Sequence, residues 1–330
     1  MEQSDTNRNT HDTMRGRTPL FRAAENGHEE AVKVLLERND VNIEAGDEYN
    51  RTPLSVAVEN GHAGVVRILT EGSKTNLNTV DDVYGRTPLS WAVRIGNMEI
   101  VEMLLNLDDV DPNIADERGQ TPLVLAVENE NEEAVTILLQ RNGVNPNTVD
   151  DEDRTPLSLA AQNGYEGIVR ILVQEANADL NSPGSTGGQT PLAWAAKEGH
   201  SEVVRFLLEC DEVDTDPVDN CGRRPLWMAA HGGHEKVVKM FLEPNEVNPD
   251  TSDRNKETPL VVAALGGHEG VVRILLERND VNPSMASTSG STPLSLAIQW
   301  RHEGFARRLL ERNDMNANIA DTDFGRTPLL

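Results

Sequence analysis

The chain has 330 residues with 30 basic and 55 acidic side chains, a formal net charge of −25. So much acid repels a phosphate backbone, which excludes nucleic-acid binding through a broad basic face, and no run approaches the ~18 consecutive apolar residues of a membrane span. Two cysteines, Cys210 and Cys221, are too few for a disulfide framework or a zinc site, and the 4% aromatic content predicts a core of aliphatic residues and alanine.

Residues 1–12 are polar, lack the apolar stretch of a signal peptide, and are expected to be disordered, so the chain reads as soluble and cytoplasmic. From residue 13 a period takes over. Thr-Pro-Leu begins at Thr18, Thr52, Thr87, Thr121, Thr155, Thr190, Thr258, Thr292 and Thr327, with Arg224-Pro225-Leu226 in the one vacant place, and every spacing is 34 or 35 residues. Counting each unit from five residues before its Thr gives nine: 13–46, 47–81, 82–115, 116–149, 150–184, 185–218, 219–252, 253–286 and 287–321. A tenth, 322–330, stops after its first residues, and the chain reads as a fragment or a truncated product.

Within 150–184, Thr155 is placed to cap a helix, Pro156 fits the first helical position, and Leu157, Leu159, Ala160 and Ala161 form its buried face. Gly164 supplies a left-handed ending, and Ile168, Val169, Ile171, Leu172 and Val173 give a second helix with apolar residues at helical spacing. The small pairs Ala160-Ala161, Ala195-Ala196, Ala229-Ala230 and Ala263-Ala264 let neighbouring units approach closely. A polar excursion with Gly two residues before most Thr positions predicts a tight turn into the next unit.

These units resemble ankyrin repeats over residues 13–321. The residues that carry the likeness are the Asp-x-x-Gly-x-Thr-Pro-Leu start (Asp82 to Leu89, Asp116 to Leu123), the Ala-Ala pair, the Gly-His pair (Gly27-His28, Gly61-His62, Gly199-His200, Gly233-His234, Gly267-His268), and the Val-x-x-Leu-Leu helix followed by Val-Asn. The resemblance implies an all-α ankyrin-repeat solenoid of stacked helix-turn-helix units joined by β-hairpin-like loops. Two features depart from the pattern. The period exceeds 33, with the surplus expected in the loop after Val-Asn. The common His three residues after the Thr is replaced by Phe21, Ser55, Ser90, Val124, Ser158, Ala193, Trp227, Val261 and Ser295. The Val-Asn/Asp-Pro-Asn loops and the run Gly85 to Ala92 are similar to the ankyrin tails of fungal NACHT-type, NOD-like receptor proteins.

Nothing in the pattern carries catalytic chemistry, and no metal or cofactor is expected. His28, His62, His200, His234, His268 and His302 share one repeat position and are expected to hydrogen-bond the turn, while His231 with His234 lacks the further ligands that zinc needs. Gly184 to Thr190 mimics a phosphate loop without its lysine. Glu29/Lys33, Glu166/Arg170, Glu235/Lys239, Glu269/Arg273 and Glu303/Arg307 are spaced to pair along the second helix. Trp91 and Trp194 stand where other units have Leu or Val and are assigned to the core. Arg224 in place of Thr, Lys256, Glu130 and Arg301 in place of Gly, and Arg308 in place of an apolar residue mark expected soft spots.

By resemblance, the partner is another protein, held by a monomeric chain on the concave face of turn tips and inner-helix ends. Along this face Glu25-Asn26 and Glu59-Asn60 give way to His231-Gly232, Leu265-Gly266 and Gln299-Trp300, a C-terminal apolar patch with Trp227 nearby. A second candidate is the acidic ridge of turns Asp47-Glu48, Asp81-Asp82, Asp116-Glu117 and Asp150 to Asp153. It is tipped by Tyr49 and Tyr84, beside a column of Arg17, Arg51, Arg86, Arg154 and Arg223, and suits a basic partner. The expected function is a protein-interaction scaffold; the rival is the sensor or autoregulatory tail of a larger NACHT-type signalling NTPase.

Overall fold

The computed structural model describes residues 16–71, 75–184, 186–243 and 247–319. The polar segment 1–12 and the tenth start at 322–330 lie outside these residues. Among the described residues there are eighteen helices and no strand, the all-α repeat solenoid that the period implies. The inner helices are Pro19–Glu25 (α1), Pro53–Glu59 (α3), Pro88–Ile95 (α5), Pro122–Glu128 (α7), Pro156–Asn163 (α9), Pro191–Glu198 (α11), Pro225–Gly232 (α13), Pro259–Gly266 (α15) and Pro293–Gln299 (α17). The outer ones are Glu29–Leu36 (α2), Ala63–Thr70 (α4), Met98–Leu105 (α6), Glu132–Gln140 (α8), Glu166–Glu175 (α10), Ser201–Leu208 (α12), Glu235–Leu242 (α14), Glu269–Leu276 (α16) and Glu303–Leu310 (α18).

Every inner helix starts with proline, which fixes a helical φ and needs no partner for its missing N–H. Before it, an extended Thr accepts from the N–H three residues on, as in Phe21 to Thr18 Oγ1 at 3.2 Å and Ser158 to Thr155 Oγ1 at 3.1 Å. Ser55, Ser158 and Ser295 return a hydroxyl bond to the Thr carbonyl, so serine three residues after the Thr locks the cap. Arg224 makes no side-chain cap bond, which leaves α13 the one inner helix without this device.

The chain divides into two compact units, the first holding α1 to α8 and the second α9, most of α10 and α11 to α18. In the first, α1, α3, α5 and α7 pack in sequence and the outer helices α2, α4, α6 and α8 follow them; in the second, α9, α11, α13, α15 and α17 do the same, with α12, α14, α16 and α18 behind. The Ala-Ala pairs are fully buried between inner helices, where a larger side chain would separate the layers.

Within each unit, backbone and side-chain bonds stitch neighbouring repeats together. The turns form a one-bond ladder, with Asp82 N donating to Tyr49 O (2.9 Å), Glu117 N to Tyr84 O (2.8 Å), Asn220 N to Gly187 O (3.0 Å) and Arg254 N to Cys221 O (3.0 Å). On the far side, Asn78, Asn113 and Asn181 each donate to a carbonyl of the following repeat and accept from one of its backbone N–H groups. The periodic histidine reaches back a whole repeat rather than bonding its own turn. Nε2 of His62 lies 3.1 Å from Glu25 O, of His200 2.9 Å from Gln162 O, of His234 2.8 Å from Lys197 O, and of His268 2.9 Å from His231 O. A carbonyl only accepts, so Nε2 carries the proton. The Gly-His pair then has a joint explanation. A Cβ on Gly164, Gly199 or Gly233 would stand 2.3–2.5 Å from Nδ1 of the next repeat's histidine, and all three have positive φ.

Several expectations change here. In the 35-residue steps to Thr87 and Thr190 the extra residue enters the turn before the Thr, not the loop after Val-Asn. Asp81 N donates to Arg86 O and Gly184 N to Gln189 O, five residues on, whereas Asp47 N closes on Arg51 O, four on. Of the five expected second-helix ion pairs, Glu166–Arg170 forms (2.8 Å); Lys33 instead meets Glu30 (2.7 Å), and Arg273 reaches Glu235 of the preceding repeat (3.6 Å). Arg308 is exposed at a place that is 56% exposed in Val34 but buried in Ile274 of the preceding repeat. Glu130 (φ 54°), Lys256 (φ 59°) and Arg301 (φ 59°) do take the left-handed conformation usually held by Gly, at a cost of roughly 1 kcal/mol each.

Candidate binding face

In each unit the face formed by the turns and the exposed ends of the inner helices rests on buried turn carboxylates, replaced by Gly184 and Ser287 in the repeats capped by Thr190 and Thr292. Asp47, Asp81, Asp116, Asp150, Asp219 and Asp253 are all buried, so the first four, out of the ten acidic residues of the expected ridge, are structural. Each carboxylate with resolved bonds holds the turn around it. Asp47 Oδ1 accepts from Tyr49 N (3.0 Å) and Arg51 N (3.1 Å), and Asp219 Oδ1 from Cys221 N and Arg223 N (both 2.8 Å). What stays exposed is the tip that follows, such as Glu48, Asp82 and Glu117.

The arginine column is a set of anchors for these carboxylates. Arg51 pairs with Asp47 (2.7 Å) and Glu59 (3.1 Å), Arg223 with Asp219 (2.7 Å), and Arg154 with Glu152 (3.0 Å). Arg86 is buried, reaches Asp116 of the next repeat at 3.2 Å, and lies over Tyr84 at 4.8 Å and Trp91 at 5.2 Å. Their guanidinium groups are committed before any partner arrives.

Tyr49 and Tyr84 are exposed at their tips, 41% and 49%. Trp91 is half-buried, not core. Its indole N–H donates to Asp81 Oδ2 (2.9 Å), and its ring meets Tyr84 edge-on at 5.7 Å. Together they wall a cleft of about 270 Å³ with Arg86, Arg94, Asp116 and Glu128. Trp194 is also half-buried, with Lys197 over its ring at 4.3 Å. Its indole N–H is buried without a partner, because the residue ten before it is Gly184 where Trp91 has Asp81. That ten-residue offset was readable in the sequence, and it separates these tryptophans from the Leu and Val they replace.

The second unit differs. Trp227 is buried at 7% exposure, with its indole N–H donating to Glu257 O of the next repeat (2.9 Å). It therefore lines the face from below and is not part of an exposed patch. Exposed His231 stacks on it at 5.2 Å and 9°, with Arg223 5.6 Å from the ring on the same column. Burial, with the positive charge of His268, Arg223 and Lys197, holds His231 below the usual histidine range, which favours the neutral ring. Leu265 and Trp300 are exposed, 45% and 53%, and Gln299 is exposed beside Trp300. Leu265, His231 and Gln299 occupy the same place in three successive repeats.

One residue of this face escaped the sequence reading. Glu257 stands where the column has Arg51 and Arg223, and the reversal of sign in that column was its signal. Burial pushes its carboxyl above the usual carboxylate range, and the charge of Asp253 pushes the same way. Asp219 shows the opposite balance. Burial would raise it, yet hydrogen bonds from Arg223 and from the backbone of Arg223 and Cys221 hold it below its ordinary value.

Among the described residues no three His, Cys, Asp or Glu side chains converge as a metal site, and no helix is long and apolar enough to cross a membrane. Cys210 and Cys221 are free thiols. The family model described as ankyrin repeats (3 copies) matches residues 2–81, 71–150, 96–184, 126–218, 180–253 and 211–285. No curated protein matches the chain.

Proposed function

The chain belongs to the ankyrin-repeat family, whose members are generally protein–protein interaction modules and typically not enzymes, and from that premise we propose that it binds a polypeptide partner on the concave face of turns and inner-helix ends. The nine units bounded at 13–46 through 287–321 form the binding array, working as a monomeric cytoplasmic scaffold. The observation that carries this reading is the exposure of Leu265 and Trp300 in the second unit, on a face where the neighbouring inner-helix residues Val261, Val262 and Leu296 are buried. Exposed large apolar groups beside a buried aromatic wall are what an anchoring partner needs.

The test is a pair of variants, Leu265→Asp and Trp300→Ala. Affinity for an identified partner falls by about tenfold or more while circular dichroism keeps its helical signal; unchanged affinity sinks the reading. The run Gly85 to Ala92 and the Val-Asn loops support a second reading, a sensor or autoregulatory tail of a larger NACHT-type NTPase. Transcript sequence spanning the codon for Met1 tests it, since an in-frame phosphate-loop domain upstream is required.

A further inference from the structure

In the repeats capped by Thr18 and Thr52 the residue before the Thr meets the residue seven after it, across the groove between turn and inner helix. The first two repeats close this groove with their own charges, Arg17 to Glu25 at 2.7 Å and Arg51 to Glu59 at 3.1 Å. The same arginine position serves the buried carboxylate of the turn. Arg51 and Arg223 each place a guanidinium on the Oδ2 of their own Asp47 and Asp219, both at 2.7 Å.

The repeat capped by Thr258 is built on the same frame with the cation removed. Asp253 Oδ1 accepts the two backbone bonds of the turn, from Asn255 N and Glu257 N, both 2.9 Å. Among the described residues its Oδ2, the oxygen that takes arginine in the other two repeats, receives no hydrogen bond, and it is not sealed from solvent. The arginine is replaced by Glu257, whose carboxyl is pushed above its usual range by burial and then by the charge of Asp253. Opposite Glu257, at the place of Glu25 and Glu59, stands the exposed Leu265. Two neighbouring carboxylates that no ion pair among the described residues closes oppose folding, and a local rule broken in this way marks a place shaped for something else.

We infer that this groove is a docking point for a basic side chain, an arginine or lysine carried beside an apolar residue in an extended segment of another protein. The inference rests on the polypeptide-binding reading above and names the chemistry of the partner. The incoming guanidinium or ammonium occupies the vacant place between Asp253 Oδ2 and the Glu257 carboxylate, as Arg223 does for Asp219. Its aliphatic stem lies along Leu265, and the neighbouring apolar residue reaches toward Trp300. Arginine fits better than lysine, because a planar fork can bond two carboxylates at once. The exposed Arg254 and Lys256 at the tip of the same turn oppose a segment rich in basic residues, so the site selects one positive charge in an apolar context.

The experiment pans a random peptide library against the full chain and measures the enriched peptides by fluorescence anisotropy. Peptides with Arg or Lys next to a large apolar residue are expected, losing about tenfold to a hundredfold in affinity when that basic residue becomes Gln. The Glu257→Arg variant is expected to lose binding to the same extent while its thermal midpoint rises, a combination that damage to the fold cannot produce. Enrichment of acidic peptides, of peptides without a basic residue, or of peptides that bind Glu257→Arg unchanged overturns the inference. If those peptides still require Leu265 and Trp300, polypeptide binding on this face survives and only the basic anchor is lost. A library that yields no binder to the face overturns both.

Discussion

The turns of the repeats starting at Arg224-Pro225 and Thr258-Pro259 share a backbone and differ in charge. In both, the Asp closes on the residue before the cap, Asp219 N to Arg223 O at 3.0 Å and Asp253 N to Glu257 O at 3.1 Å, and Oδ1 collects two backbone N–H groups. Only on Oδ2 do they part. Asp219 receives Arg223 Nε at 2.7 Å and, from the preceding repeat, Gln189 Nε2 at 2.9 Å, whereas among the described residues Asp253 receives neither an arginine nor a side-chain amide. In these two turns the aspartate holds the same backbone bonds whichever residue stands before the cap. The residue before the cap is free to carry either sign, and so becomes the place where one repeat is made different from another.

The largest effect expected from this difference is on stability. Asp219→Ala strands Arg223 and Gln189 together with two turn N–H groups and should cost about 3 kcal/mol. Asp253→Ala removes the same two turn bonds but also relieves Glu257, and should cost about 1 kcal/mol. Chemical denaturation of the full chain measures both, and equal losses would break the comparison. Next in size is Arg224→Thr, which gives α13 the cap its neighbours have and is expected to add about 1 kcal/mol, less what the Arg224 contacts with Asp216 now contribute. Smaller again is Glu257→Arg. It restores the pair with Asp253 at a partly exposed site and should raise stability by a few tenths to about 1 kcal/mol. A fall would show that the groove does not accept the geometry of Arg223.

Much of the fold was legible in the residues, because each repeat states it again. Thr-Pro, or Arg224-Pro225 in its place, fixes where every inner helix begins, the Ala pairs fix which face is buried, and Glu130 and Arg301 reveal their strained backbone by standing where glycine is usual. The site was less legible, because composition does not say which charges are already satisfied. The column of arginines and the aspartates beside it read as an exposed ridge, yet Arg17, Arg86 and four of the aspartates, Asp47, Asp81, Asp116 and Asp150, are buried. Trp227 read as part of a patch because tryptophan is common in interfaces; its ring is covered, and its N–H is bonded to Glu257 O. Leu265 and Trp300 were found because their exposure depends on repeat position alone. The histidine column misled in a different way. Its bond spans a whole repeat, and only the stacking of neighbouring layers brings His62 to Glu25.

Acid titration sharpens the contrast between the two turns, because their carboxylates shift in opposite directions. Asp219 has a lowered folded value, so its contribution is fully present above the unfolded carboxylate pKa and is lost as pH falls through the folded one. Glu257 has a raised folded value, so it is a penalty at neutral pH that disappears as pH falls through the folded value, where the carboxyl takes up a proton. Wild type should therefore be more stable than Asp219→Asn at pH 7, with the advantage shrinking in acid. It should be less stable than Glu257→Gln at pH 7, with that deficit shrinking in acid as well. Denaturation midpoints of the three proteins across the carboxylate range measure both differences. Two differences of the same sign would mean that Glu257 has found a counter-charge in solution, and the repeat capped by Thr258 would then be closed by the protein itself, as the first two are.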